Sequence, residues 1–262
     1  MVSAGIHVVR HYQHNPGPPV VLVHGAPDRA KNLAHAVHLL HDLPVTTYDR
    51  RGYGKSLEAG AIGPGGFDQH ADDLVALLDG TPSIVVGQSA GGAIAMAAAI
   101  KAPELFLALG VWEPPMVPWK WWSTIGQWER TMEYAWYDDP YRLGEDFNRL
   151  ILGDERWEAL PERTRSMLRA EGVAFRADMA CQEFPFMDIE LLKVPMVVGT
   201  GTEHPEPAFA DCHRETARRL NAEMYVGEGA DHFAHLSNPA VWVGLVRQTL
   251  ALAQRLHPEV FA

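Results

Sequence analysis

Cysteine is nearly absent: Cys181 and Cys212 are the only two in 262 residues. They lack both the density of a disulfide scaffold and the short spacing of a metal or redox motif, so two reduced thiols are expected. No apolar run approaches the ~18 residues that a membrane-spanning helix needs, and the longest candidate, Ala93 to Ile100, falls far short. Positive charge is also scarce. With 22 basic against 33 acidic side chains the formal net charge is −11, which would repel a phosphate backbone over most of the surface. Nucleic acid and membrane are therefore not expected as partners. Internal repeats and low-complexity linkers are missing, and the first dozen residues carry charge and histidine where a signal peptide would be apolar. A cytoplasmic location is the resulting expectation.

What is present is the pattern of a soluble α/β domain. Hydrophobic residues make up 47% and charged residues 21%, the ordinary globular balance. Short Val- and Ile-rich runs alternate with helical periodicity, which is how a mostly parallel sheet flanked by helices reads. Strands are expected at Val20–Val23, Val45–Tyr48, Ser83–Val86, Leu107–Trp112, Pro195–Gly199 and Glu223–Val226. Helices are expected over Asn32–His41, Asp68–Asp79, Gly91–Lys101, Ala208–Leu220 and from Pro239 to about Leu256. The alternation stops between Pro115 and Leu192, where the chain turns helical and holds six of the eight tryptophans. That segment reads as an all-helical cap inserted between two strands, dividing the chain into a core of 1–114 with 193–262 and a cap of 115–192. Its tryptophans, among them Trp119, Trp122 and Trp128, are expected to line a pocket for a small, apolar substrate.

The chemistry concentrates at three glycine-containing turns. Gly87-Gln88-Ser89-Ala90-Gly91 lies between a strand and a helix, as a nucleophile elbow requires, and makes Ser89 the candidate nucleophile. The glycines relieve crowding around a strained serine backbone, and the helix that follows directs its amides at the reacting carbonyl. His24-Gly25-Ala26-Pro27 follows the first buried strand, so Ala26 and Ala90 are the candidate backbone donors for a tetrahedral oxyanion. Late in the chain, Gly227-Glu228-Gly229-Ala230-Asp231-His232-Phe233 supplies His232 as general base. His235 competes with it but reads as the approach to the last helix. His35, His38 and His41 recur every three residues, which turns too little per step for a metal-binding pair, and they read as a solvated helix face. No metal and no cofactor is implied.

Together His24-Gly25, Asp49 to Ser56, Gly87 to Gly91 and Gly229 to Phe233 resemble the α/β-hydrolase superfamily over nearly the whole chain outside the cap. The resemblance implies a Ser-acid-His triad in that chain order. It also implies that Asp49 to Ser56 is a structural turn without a catalytic role. A serine at 89 argues against the aspartate-nucleophile dehalogenases and epoxide hydrolases, and His24-Gly25-Ala26 lacks the glycine run of the hormone-sensitive-lipase branch. In most of the superfamily the acid follows the strand after the cap, which points to Glu203. In a minority it ends the strand before the cap, which points to Glu113. A carboxylate between Trp112 and two prolines would be costly without a partner, and that consideration favours Glu113 over Glu203. The resulting expectation is a serine hydrolase that cleaves a carboxylic ester, lactone or thioester through an acyl-enzyme. A carbon–carbon hydrolase of ring-cleavage products and a non-catalytic receptor of the same fold are the alternatives.

Overall fold

The computed structural model describes residues 5–61, 65–116, 118–119, 121–122, 133–182, 187–204 and 207–261. Seven strands form one sheet: β1 Val8–His11, β2 Val20–Val23, β3 Val45–Tyr48, β4 Ser83–Gln88, β5 Phe106–Trp112, β6 Met196–Gly201 and β7 Glu223–Gly227. Their spatial order is β1-β3-β2-β4-β5-β6-β7, and every pairing is parallel except β1 with β3. Helices follow as α1 Ala34–Leu39, α2 Gly54–Glu58, α3 Gly66–Leu78 and α4 Ala90–Lys101, then α5 Pro140–Leu152, α6 Asp154–Ala159, α7 Glu162–Ala170 and α8 Gly172–Ala180. After β6 come α9 Pro207–Arg219, α10 Ala234–Ser237 and α11 Pro239–Leu256.

The uninterrupted apolar run of β2 has a direct physical reason, because both faces of the sheet are covered. Side chains alternate across a strand, so Val21 and Val23 enter one core with Leu74 of α3, Met96 of α4 and Ala217 of α9, while Val20 and Leu22 enter the other with Val37 of α1 and Leu245 of α11. The alanine-rich α4 is small enough to lie close on the centre of the sheet, and Ala93, Ala95 and Ala98 are fully buried there. The β1 strand lies outside the expected set. It pairs antiparallel at the edge with a half-exposed face, so it lacks the apolar signal of its neighbours.

Strands β5 and β6 are paired neighbours, Leu109 opposite Met196, although the whole of α5 to α8 lies between them in sequence. The α5–α8 segment, which falls where the cap is expected, has a small core of its own, in which Leu143, Phe147, Phe175 and Met179 pack with Tyr134. Helix α5 begins with Pro140 behind the Asp139 carboxylate, which accepts from the Tyr141 and Arg142 amides at 2.9 and 3.3 Å.

Two buried charge contacts fasten the cap to the core. Asp178 of α8 accepts from both terminal nitrogens of Arg50 at 2.9 Å and from the Tyr53 hydroxyl at 2.7 Å, with His70 Nε2 at 3.1 Å. Glu171, just before α8, is paired with Arg29 through both carboxylate oxygens and accepts from the Gly54 amide at 2.8 Å. Burial alone would raise the Asp178 carboxyl, but Arg50 and His70 hold it far below the usual carboxylate range. Removing it would leave a fully buried guanidinium without its counter-charge. Asp178→Ala is therefore expected to cost about 3–5 kcal/mol in urea unfolding, and a loss under 1 kcal/mol would show that the contact does not anchor the cap.

Candidate active site

The elbow forms where the sequence pattern puts it, between β4 and α4. Ser89 has φ 51° and ψ −124°, a conformation that side chains rarely adopt, and its amide donates to the Trp112 carbonyl at 2.8 Å. The reason for glycine at the last position is contact. A Cβ on Gly91 would stand 2.4 Å from the carbonyl oxygens of both Val23 and His24. That close approach draws the loop after β2 up beside Ser89, and a Cβ on Gly25 would meet the Ser89 Cβ at 3.3 Å.

His24 holds this loop from inside. The Arg50 amide donates to its Nε2 at 2.9 Å, so its Nδ1 carries the proton and donates to the Gly25 carbonyl at 2.8 Å. Burial, with Arg50 nearby, pushes the imidazole down to about 4, so it stays neutral. The Arg50 guanidinium also donates to the carbonyls of Gly25 at 2.7 Å and His24 at 3.2 Å. Asp49 binds elsewhere, accepting from the Ala30 and Lys55 amides at 2.9 Å each. The Asp49 to Ser56 turn is thus a structural brace for the loop that carries Ala26.

On the other side of Ser89 stands His232, in the loop after β7. Its Nε2 lies 3.1 Å from Ser89 Oγ, and its Nδ1 lies 2.8 Å from Oε2 of Glu113. Glu113 follows β5 directly, with φ 47° and 1% exposure. Its other oxygen accepts from the Thr200 hydroxyl at 2.9 Å and the Gly201 amide at 2.8 Å. Burial would raise this carboxyl, but His204 and His232 beside it hold it well below the ordinary range. An ionised carboxylate can only accept, so His232 Nδ1 carries a proton and Nε2 presents its lone pair to the serine. Glu203 is exposed and contributes only its amide, donated to Ala230. The histidine that competed in the sequence, His235, is buried 3.0 Å from Asp28 instead of over the serine.

Above Ser89 a cleft of about 520 Å³ opens between core and cap. Gly25, Ala26, Asp28, Gln88, Ser89, His232 and His235 form its core side, while Phe147, Ile151, Leu152, Leu160 and Leu168 come down from α5 and from the α6–α7 segment. The tryptophan expectation needs correction here, since the described lining residues include no tryptophan. Trp122 packs against α9, its ring 6.0 Å from Phe209 and 4.9 Å from His213. Trp119 lies against the core beside Trp121, Trp157 is buried within the cap under Arg149 and Arg169, and Trp128 lies outside the described residues. These indoles pack against the sheet core or under arginines, and Phe147 with branched aliphatic side chains forms the cleft wall. A larger cavity, about 800 Å³, lies at the start of β6 and β7 by Lys193 and Arg218; it has Trp121 in its wall and touches none of Ser89, His232 and Glu113.

Two contributors were invisible in the sequence. Gln88, the variable residue of the elbow, donates to the His232 carbonyl at 2.6 Å and accepts from the Trp242 indole at 3.0 Å, so it ties the histidine loop to the nucleophile strand. The other is His204, whose contact with Glu113 no local pattern announces.

A family model described as the alpha/beta hydrolase family matches residues 20–245, and the chain belongs to that family. Among named relatives, an uncharacterised hydrolase, YraK, of Bacillus subtilis is 34% identical over 128 residues, 47% of each chain. The lipase LipV of Mycobacterium tuberculosis is 33% identical over 112 residues, 42% of this chain and 41% of its own. The match thus spans about half the length of these relatives. In fold, a thermophilic esterase from Thermogutta terrifontis superimposes with TM-score 0.69 at 23% identity, covering 95% of this chain and 93% of its own. An enol-lactonase from Burkholderia xenovorans superimposes equally well, TM-score 0.69 at 20% identity, with 94% and 96% covered.

The elbow itself is open to test. Gly91→Ala is expected to cost about 1–3 kcal/mol in urea unfolding, because two carbonyls would have to move for the methyl group. A variant as stable as the wild type would mean that the loop after β2 is free to retreat.

Proposed function

We propose that the chain is a serine hydrolase that cleaves the acyl bond of a small, mainly apolar carboxylic ester, lactone or thioester. The observation that carries this reading is the continuous chain of contacts from Ser89 Oγ through His232 to the buried Glu113. Ser89 Oγ attacks the carbonyl carbon while His232 Nε2 takes its proton, and Glu113 stabilises the imidazolium that forms. The oxyanion is assigned to the amides of Ala26, from the loop after β2 that lines the cleft, and of Ala90, the first residue of α4. His232 then returns the proton to the leaving oxygen or sulfur, and a water activated by the same histidine hydrolyses the acyl-enzyme.

The apolar preference rests on Phe147, Ile151, Leu152, Leu160 and Leu168 facing Ser89 across the cleft. Relatives named as a lipase and an esterase agree with it at the level of reaction class. No helix among the described residues is long and apolar enough to cross a membrane, and none of their His, Cys, Asp and Glu clusters could hold a metal ion.

Turnover of a nitrophenyl ester series decides the reading. Ser89→Ala is expected to abolish hydrolysis, with binding of the intact ester retained; activity within tenfold of the wild type would remove Ser89 from the mechanism. Glu113→Gln, which keeps shape and deletes charge, is expected to lower kcat by about 10³–10⁴ with little change in KM. Glu203→Gln should stay within about threefold of wild type. The reverse order would transfer the role of acid to the loop after β6.

A further inference from the structure

On the core side of the cleft stand two large apolar side chains that belong to none of the buried apolar clusters. Phe233 is 43% and Leu236 46% exposed, and both line the cleft with His232. Of the exposed large apolar side chains among the described residues, only these two and Ile151 of α5 line it. Their neighbours in the same turn, Ala234 and His235, are buried. The turn is firmly held. Asp231 Oδ1 accepts from the Phe233 amide at 2.9 Å and the Ser237 hydroxyl at 2.8 Å, and the Phe233 carbonyl accepts from the Leu236 and Ser237 amides at 2.7 and 3.0 Å. Phe233 stands edge-on to His232, with ring centroids 5.3 Å apart and an interplanar angle of 80°.

The order of bond breaking gives this pair a place in the reaction. At the tetrahedral carbon one bond goes to Ser89 Oγ, and the oxyanion is assigned to Ala26 and Ala90. The leaving oxygen or sulfur has to come within about 3 Å of His232 Nε2 to receive its proton, so the alcohol or thiol half of the substrate departs along the His232 side and the acyl chain takes the remaining direction. Polar groups on this side are engaged with one another: Asn32 Nδ2 donates to Asp28 Oδ1 at 2.6 Å, and Asp28 Oδ2 lies 3.0 Å from His235 Nε2. We propose, on the Ser89–His232–Glu113 mechanism above, that Phe233 and Leu236 are specificity-determining residues for the leaving group and select an apolar alcohol or thiol. Their surface, open to water in the free enzyme, is covered when such a group fills this side of the cleft.

The same side receives whatever resolves the acyl-enzyme, because deacylation by an alcohol is acylation run backwards. The incoming alcohol oxygen bonds to the acyl carbon, its proton passes to His232 Nε2, and that proton goes on to Ser89 Oγ as the bond between Oγ and the acyl carbon breaks. Water brings no apolar group to Phe233 and Leu236, whereas hexanol does.

The test is the partition of the acetyl-enzyme formed from nitrophenyl acetate between water and an added alcohol. Released nitrophenol counts turnovers and the alkyl acetate formed counts transfers, so their ratio does not depend on how much enzyme is folded or how fast it acylates. Wild-type enzyme is expected to transfer to hexanol about tenfold better per mole of alcohol than to ethanol. Leu236→Gln and Phe233→Gln are each expected to lower that preference by about three- to fivefold, while Phe233→Leu retains most of it. A wild type that forms neither acetate, or both equally, would overturn the proposal without any variant, and so would a preference that survives both glutamine substitutions. Relative turnover of nitrophenyl acetate and nitrophenyl hexanoate by the same variants separates the two halves of the substrate. A change in that acyl-chain preference in place of the alcohol preference would put Phe233 and Leu236 on the acyl side and overturn the assignment. Nitrophenyl acetate left intact by the wild type, or hydrolysed equally by Ser89→Ala, would instead remove the serine mechanism, and this proposal with it.

Discussion

A guanidinium excluded completely from solvent is the constraint on which much of this molecule depends. Arg50 carries its charge at 0% exposure, where an unpaired cation would be unaffordable, and each of its contacts belongs to a different part of the structure. Asp178 brings in the cap, the carbonyls of His24 and Gly25 bring in the loop beside the nucleophile, and the Tyr53 ring lies 4.6 Å under the guanidinium carbon. The cap and the floor of the cleft are therefore registered against one another through a single side chain. Position 50 needs arginine for this, because a planar fork of donors can serve a carboxylate and two carbonyls at once, which a lysine could not.

The parts of the structure that were legible in the sequence are those in which a local pattern carries the physical cause. Strands buried on both faces announce themselves by unbroken apolar runs, so β2 and β3 match their expected limits residue for residue, as does α11. The half-exposed β1 carries no such run, and α1 is shorter than its periodicity suggested because Ala30–Leu33 winds as a tighter 3₁₀ turn. In the site, Ser89 and His232 were readable because glycines mark the backbone each requires. Glu113 was readable only by weighing the cost of burying a carboxylate, since nothing in Trp112-Glu113-Pro114 is a motif.

What was not legible depends on tertiary proximity. Glu171 and Asp178 lie in an ordinary helical stretch, and only folding brings them to Arg29 and Arg50, 142 and 128 residues away. The tryptophans misled for a related reason. Trp119, Trp121 and Trp122 pack against the sheet core and Trp157 is buried under two arginines, so these indoles are taken up in packing away from the cleft. The cleft wall was left to leucine, isoleucine and phenylalanine, whose spacing in the sequence looks like any amphipathic helix.

The position of Glu113 at the end of β5 has a consequence for how rigidly the proposed triad is held. A carboxylate on the loop after β6 would take its position from that loop alone. Glu113 instead follows a strand paired on both sides, with its amide donated to the Gly199 carbonyl at 3.0 Å and the preceding carbonyl, that of Trp112, accepting from Ser89. The backbone leading into Glu113 and that of Ser89 are thus joined by one hydrogen bond, so that the two ends of the proposed catalytic chain share a frame before any side chain is considered. Only His232 then needs to be brought in from a loop. Gln88 does this from the end of β4 itself, donating to the His232 carbonyl from the position next to Ser89, so the loop-borne histidine is referred to the strand that carries the serine.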